Sequence, residues 1–132
     1  MPVNALFSFL IKKRLQQIEL FRTHPHQAQF EVFLNLIRSA RYTEWGRQYG
    51  YDDIKTTDQF RERVPLQDYE AVKPYVARLR SGEQNLLWPT DTKWFAKSSG
   101  TTNDRSKFIP VTRESLEDCH YKGGKDLIAL HY

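Results

Sequence analysis

The fold is decided by one segment rich in hydroxyl side chains, Phe95-Ala96-Lys97-Ser98-Ser99-Gly100-Thr101-Thr102-Asn103-Asp104-Arg105-Ser106-Lys107-Phe108-Ile109-Pro110. Ser and Thr hydroxyls donate hydrogen bonds to an anion, glycine lets the backbone approach it closely, and lysine adds a compact positive charge. Because these residue types lie between two runs of strand-forming residues, the segment predicts two strands joined by a loop that binds the phosphates of a nucleotide.

Two well-known phosphate loops do not match this segment. A Walker loop requires a glycine directly before its lysine, whereas Ser106 precedes Lys107. A dinucleotide fingerprint requires three spaced glycines, whereas Gly100 is the only glycine in the segment. A polar hairpin turn remains an alternative, because Asn-Asp-Arg-Ser is ordinary turn chemistry.

Residues 1–90 are predicted to be a mainly helical lead-in. A first helix extends from about Val3 to Arg22, where apolar residues recur at helical spacing. Thr23 is expected to cap a second helix that starts near Pro25 and packs on the first as an antiparallel pair. Shorter helices are predicted at Thr43–Gly50, Phe60–Val64 and Tyr69–Leu79, and the cap-like run Thr56-Thr57-Asp58 is expected to open the second of these.

Residues 91–112 are predicted to form the strand, loop and strand, with strands at Thr92–Ala96 and Lys107–Val111. Residues 113–132 then form a last helix, which Thr112 caps. A two-stranded hairpin is marginal by itself. We therefore expect an α/β fold in which residues 1–132 are part of an incomplete domain.

One face of the last helix is predicted to carry the small, apolar and aromatic side chains Leu116, Cys119, His120, Gly123, Leu127 and Leu130. Cys119 is interpreted as a small core residue. Two adjacent glycines, Gly123 and Gly124, cost a helix about 1 kcal/mol each relative to alanine. They therefore indicate close contact with a neighbouring backbone or a ligand.

Composition narrows the class of protein. A chain of 132 residues fits one ordinary domain. Its net charge of +4 is compatible with an anionic ligand such as ATP. The lone Cys119 cannot form an internal disulfide, and we see no cleavable leader, so a cytoplasmic location is expected. The apolar run Leu6–Ile11 is far shorter than the roughly 20 residues of a membrane span, so no membrane association is expected.

Other candidate sites are weaker. His24 and His26 could bind a metal, but no further ligands accompany them, and we predict no metal site. Cys119 and His120 are adjacent on a helix and point about 100° apart, which does not suit a nucleophile and its base. The sequence identifies no catalytic residue.

The segment also resembles a known signature. Ser98-Ser99-Gly100-Thr101-Thr102, followed by Lys107 and Phe108-Ile109-Pro110, is similar to the phosphate-binding motif of the acyl-adenylate-forming superfamily, which includes firefly luciferase. With the upstream segments, the chain resembles the N-terminal part of the auxin-responsive promoter (Gretchen Hagen) family of acyl-acid amido synthetases. Those segments are Thr43–Gly50, Val64-Pro65-Leu66 with Tyr69-Glu70, Lys73-Pro74-Tyr75-Val76 and Gly82–Pro89.

This resemblance implies the N-terminal portion of an acyl-adenylating enzyme. Such an enzyme uses ATP and Mg²⁺ to activate a carboxylic acid, and then transfers the acyl group to an amino acid or another amine. The resemblance also implies that the ATP phosphates are held by Ser98, Ser99, Gly100, Thr101, Thr102 and Lys107. Because the family's later motifs have no counterpart here, the remainder of the enzyme polypeptide is an expected partner, and the isolated chain is expected to be inactive.

One departure from the family pattern lies in the loop. Asn103-Asp104 stands where plant-type sequences commonly carry a glycine, and a carboxylate facing a phosphate would repel it. Two other classes of function stay open. The first is a non-catalytic helical interaction module whose loop is only a turn. The second, a nucleic-acid-binding module, is disfavoured because acidic residues are interspersed with the basic ones, and we expect no nucleic-acid partner.

Overall fold

The computed structural model describes residues 2–99 and 106–131, and only the backbone of residues 2–8 and 10. The chain divides into two compact units. One combines Met1–Val32 with Glu114–Tyr132, and the other comprises Phe33–Arg113. No helix in the described ranges is long and apolar enough to cross a membrane.

The described residues form helices and one two-stranded sheet. The helices are α1 (Pro2–Thr23), α2 (Pro25–Ala40), α3 (Glu44–Gln48), α4 (Thr57–Arg63), α5 (Tyr69–Arg80) and α6 (Lys122–His131). A 3₁₀ turn at Tyr51–Asp53 follows α3, and a π-helical segment at Ser115–Tyr121 precedes α6. Strands β1 (Trp94–Lys97) and β2 (Phe108–Val111) pair antiparallel. The predicted order, helices followed by a strand pair, is confirmed.

In the first unit, α1 packs along α6. Ile11 on α1 and Ala129 on α6 are both buried. Arg14 donates two hydrogen bonds to Asp126, one of them from Nη2 to Oδ2 at 2.9 Å. The guanidinium holds the pKa of the Asp126 carboxyl below its ordinary value. The sequence predicts α2 as the partner of α1, whereas among the described residues of this unit α1 packs on α6.

The cap predicted between α1 and α2 is wrong in its residue. Thr23 is the last residue of α1, and its hydroxyl donates to the Glu19 carbonyl oxygen at 2.8 Å. The His24 carbonyl oxygen instead accepts the first hydrogen bond of α2, from the Ala28 amide at 3.1 Å. Thr23 therefore closes the first helix rather than opening the second, a use of threonine that local sequence does not distinguish from capping.

The face predicted for the last helix is also wrong. Cys119, His120 and Leu127 are exposed, whereas Ala129 is buried. The cause is the π-helical segment, whose hydrogen bonds span one more residue per turn than those of an α-helix. A helix face counted from Leu116 at α-helical spacing is therefore rotated about the helix axis where it reaches α6. Cys119 is an exposed free thiol and not a core residue.

The core of the second unit surrounds the junction between α2 and α3. Its buried members are Ile37, Ala40, Tyr51 and Ile54, and Phe33, Trp45, Tyr49, Phe60, Val64 and Trp88 pack against them. Thr43 is fully buried at this junction. Its hydroxyl accepts a hydrogen bond from the Gly46 amide at 2.9 Å and donates one to the Ala40 carbonyl oxygen at 2.7 Å. The short helix predicted here therefore begins with a buried N-cap.

Two further N-caps fix the helices that follow. Thr56 and Gln59 form a reciprocal capping box at the start of α4, which confirms the predicted cap. Asp68 accepts a hydrogen bond from the Ala71 amide at 2.8 Å and begins α5. Such a cap contributes about 1 kcal/mol. Pro65 lies between the two helices, where a proline cannot continue the first.

Arg78 on α5 joins two carboxylates. Its two terminal nitrogens donate to Glu44 of α3 at 2.7 and 2.6 Å, and its Nε donates to Glu83 at 2.8 Å. The residues after Glu83 then pass over the start of α3, where the Asn85 and Leu86 carbonyl oxygens accept hydrogen bonds from the Glu44 and Trp45 amides. The connection from α5 to β1 is thereby fixed on α3.

We expect Gly46→Ala to destabilise the second unit. A Cβ at Gly46 would lie 2.1 Å from the Ala40 carbonyl oxygen, so backbone must move to admit it. We expect a loss of at least about 2 kcal/mol in the free energy of unfolding, measured by urea denaturation.

Gly123→Ala is the matched control. Nothing described lies within 4 Å of a Cβ at Gly123 or Gly124, so the close contact predicted for these glycines is not present among the described residues. Gly123→Ala should leave stability unchanged or raise it by up to about 1 kcal/mol. Equal losses in the two variants would contradict the packing described here.

Acid should weaken the ion pairs of Arg78. Hydrogen bonds from Arg78 lower the pKa of Glu44 and of Glu83 below their ordinary value of 4.5. A carboxyl whose pKa is lowered by folding stabilises the fold above its unfolded pKa, and this stabilisation is lost as the pH falls through the folded pKa. The stability difference between the wild type and Arg78→Ala should therefore shrink below about pH 4.5.

Urea unfolding of both proteins at neutral and acid pH measures this difference. The control is Arg61→Ala, which removes the exposed Arg61–Asp58 pair within α4 and should change stability little at either pH. A difference between the wild type and Arg78→Ala that persists undiminished in acid would contradict the assignment.

Candidate phosphate-binding site

The two strands bring the ends of the hydroxyl-rich loop together. Lys97 pairs with Phe108, the last pair of the antiparallel ladder. Directly beyond it, the Ser98 amide donates to the Lys107 carbonyl oxygen at 2.9 Å, and the Lys107 amide donates to Ser98 Oγ at 3.0 Å. Ser98 and Lys107 thus form the neck of the loop.

The structure describes half of the predicted site. Ser98 and Lys107 are half-buried at the neck, and Ser99 is exposed beside them. Gly100, Thr101 and Thr102 lie outside the described residues, together with residues 103–105. The arrangement brings two hydroxyls and one ammonium to the base of the loop, and these are groups that can bind a phosphate.

Helix α5 holds the strand that leaves the loop. The Tyr69 hydroxyl accepts a hydrogen bond from the Phe108 amide at 2.9 Å and is within 3.3 Å of the Phe108 carbonyl oxygen, to which it donates. At the other end of α5, the Arg80 guanidinium carbon lies 3.8 Å from the centroid of the Phe108 ring. One residue of β2 is therefore contacted from both ends of the same helix.

The basic groups at the neck lie over aromatic rings. Lys107 Nζ is 5.6 Å from the centroid of the Tyr69 ring, a distance typical of a cation–π contact. Together with Arg80 over Phe108, this places two cationic side chains beside the loop. Two positively charged side chains thus lie on or beside residues of the neck and β2, which suits an anionic ligand.

Sequence reasoning missed Tyr69 and Arg80 as site residues. Tyr69 lies on the apolar face of a predicted helix, and its partner Phe108 is 39 residues away in the sequence. No local motif joins the two. The only signal available is a tyrosine on an apolar helix face, which is also typical of ordinary core packing.

The weaker candidate sites gain no support. His24 Nδ1 lies 2.9 Å from the Thr23 hydroxyl, and His120 packs edge-on against Tyr121. Within residues 2–99 and 106–131, no group of three His, Cys, Asp or Glu side chains could hold a metal ion. A groove of about 350 Å³ in the first unit is lined by Ile11, Lys13, Arg14, Gln17, Lys125, Ile128 and Ala129, none of which is a predicted site residue.

Comparisons with known proteins identify the family. The model of the GH3 family N-terminal domain matches residues 14–130. Probable indole-3-acetic acid-amido synthetase GH3.13 of Oryza sativa subsp. japonica is 29% identical over 112 residues, which are 78% of this chain and 24% of that protein. Indole-3-acetic acid-amido synthetase GH3.2 of Arabidopsis thaliana is 28% identical over 87% of this chain and 21% of that protein.

A solved structure agrees with the sequence matches. It is that of GH3.15 acyl acid amido synthetase, which superposes with a TM-score of 0.78 at 27% identity. The match covers 89% of this chain and 21% of that chain, so the 132 residues span about a fifth of such a synthetase. The predicted resemblance is confirmed, and the chain belongs to the GH3 family, whose N-terminal domain it matches.

Proposed function

We propose that this chain forms the phosphate-binding wall of an ATP-dependent acyl-acid amido synthetase. The observation that carries the proposal is the neck of the loop, where Ser98 and Lys107 meet in a chain whose relatives are amido synthetases. The complete enzyme would join a carboxylic acid to the adenylyl group of ATP with release of pyrophosphate, and then transfer the acyl group to an amino acid or another amine with release of AMP.

The residues at the neck have chemistry that fits this role. Ser98 Oγ accepts a hydrogen bond from the Lys107 amide. A hydroxyl that accepts one hydrogen bond still has its own hydrogen, which it can donate to a phosphate oxygen. Ser99 is exposed and presents a second hydroxyl. The Lys107 ammonium would offset negative charge on the phosphates. We include Gly100, Thr101 and Thr102 in the proposed site because the family motif continues through them.

Binding and orientation are the contribution that we assign to this chain. When bound, ATP supplies the adenylyl group that the carboxylate of the acid attacks. Transfer of such groups depends on positioning and on charge stabilisation, which hydroxyls and a cation provide. The described residues contain no metal-binding cluster, so we assign them no ligand to Mg²⁺, which would enter with the nucleotide.

The proposed partners follow from the family. Relatives are named for indole-3-acetic acid and for jasmonoyl–amino acid synthesis, so we propose a small carboxylic acid and an amino acid or another amine as substrates. The remaining four-fifths of a family-length synthetase would complete the site, and we expect the isolated chain to be inactive. We also propose a cytoplasmic location.

Nuclear magnetic resonance of the 132-residue chain tests phosphate binding. We expect titration with ATP to shift the amide signals of Ser98, Ser99 and Lys107, with an affinity of roughly 1 mM. Lys107→Ala should weaken binding about five-fold because a charge-assisted contact is lost. The matched control is Lys93→Ala, which removes an exposed lysine just before β1, at the opposite end of the strand pair.

The alternative function, a helical interaction module with an ordinary hairpin turn, predicts that ATP causes no shifts in the amide signals around the neck. An equal loss of affinity in Lys107→Ala and Lys93→Ala would show that only net charge matters, and would contradict a site at the loop.

A second measurement addresses catalysis. In a polypeptide that carries this chain with the other parts of a family-length synthetase, we expect ATP–pyrophosphate exchange that depends on the carboxylic acid. Replacement of Ser98–Thr102 by alanine should abolish that exchange, and Ser99→Ala should reduce it. Normal exchange after replacement of the whole tract would overturn the proposal.

A further inference from the structure

Tyr69 lies at the outer edge of β2, where backbone N–H and C=O groups of the strand point away from β1. In an antiparallel pair, alternate residues direct both backbone groups toward the partner strand, and the residues between them direct both groups away. The bond from the Ser98 amide to the Lys107 carbonyl oxygen makes Lys107 a bonded position. By this alternation, Phe108 and Pro110 direct their backbone groups away from β1.

These two outward positions present different groups at the outer edge of the strand. Pro110 has no N–H group, so it presents no donor at the outer edge. Phe108 has both groups, and both are within hydrogen-bond distance of the Tyr69 hydroxyl. Because one hydroxyl can accept and donate at once, Tyr69 occupies the place that a third strand would otherwise take.

The same side chain also contacts the neck. Lys107 Nζ lies 5.6 Å from the Tyr69 ring centroid, while the Tyr69 hydroxyl binds the next residue. Tyr69 is the first residue of α5, directly after the Asp68 cap, so its backbone is fixed. The position of Lys107 relative to α5 is therefore set by the ring and the hydroxyl of one residue.

We propose that Tyr69 is a positioning residue for the phosphate-binding loop. It holds Phe108, and through Phe108 it holds Lys107 and Ser98 in place at the neck. The inference rests on the proposed function, because it assigns a role to Tyr69 at that same site. Tyr69 acts through the neck and is not a catalytic residue.

Tyr69→Phe isolates this role, since it removes the hydroxyl and keeps the ring. The matched control is Tyr75→Phe on the same helix, whose hydroxyl donates to Gln48 at 2.7 Å. We expect Tyr69→Phe to speed hydrogen exchange of the Phe108 amide about ten-fold and to raise the dissociation constant for ATP several-fold. Tyr75→Phe should change neither quantity, and both variants should melt close to the wild type.

The ATP affinity and the hydrogen exchange of the Phe108 amide together distinguish a positioning role for Tyr69 from a purely structural one. If Tyr69→Phe leaves ATP affinity unchanged while exchange of the Phe108 amide accelerates, the hydroxyl only supports the strand, and the inference is overturned. If neither quantity changes, it is overturned as well. If the wild-type chain shows no ATP-dependent shift at the neck, the proposed function fails, and the positioning role fails with it.

Discussion

A two-stranded ribbon is marginally stable in water, and this constraint explains how the second unit is built. The ribbon that carries the loop has outward-facing backbone groups on β2, and the Tyr69 hydroxyl satisfies them at Phe108. The Arg80 guanidinium lies over the ring of the same residue. Helix α5 therefore does for the ribbon what additional strands do in a larger sheet.

Helix α5 can do this because other contacts fix it. Asp68 caps its first turn, and Arg78 near its last turn binds Glu44 on α3 and Glu83 beyond the helix. These ion pairs are substantially exposed, so their value lies in geometry more than in free energy. The bidentate contact with Glu44 fixes one orientation of α5 on α3, and α5 in turn contacts β2 at Phe108, next to the neck.

The parts of this fold that the sequence predicted are those set within about one helical turn. Thr56 caps a helix in which its bonded partner, the Gln59 amide, lies three residues away, so donor and acceptor are visible together in the sequence. Thr23 shows the limit, because a threonine between two helices can bond forward or back, and the choice depends on where the first helix ends.

Longer-range features escaped prediction for two physical reasons. The π-helical segment changes the number of residues per turn, so the faces assigned to Cys119 within it and to Leu127 beyond it were rotated. The Tyr69–Phe108 contact joins residues 39 positions apart, and nothing in either local sequence indicates the other. The loop itself was predicted from residue type, yet the residues that hold it were not.

The geometry of the neck also distinguishes two serines that the sequence treats alike. Ser98 Oγ accepts a backbone amide across the loop, so the side chain has a structural role whether or not an anion is present. Ser99 is exposed beside it. Hydroxyls of this kind occur in many polar turns, where they rotate freely. They become a phosphate site when the backbone that carries them is held still. In this chain the strand pair and α5 hold the backbone of Ser98 and Lys107, and under our proposal phosphate binding depends as much on Tyr69 as on the hydroxyl residues.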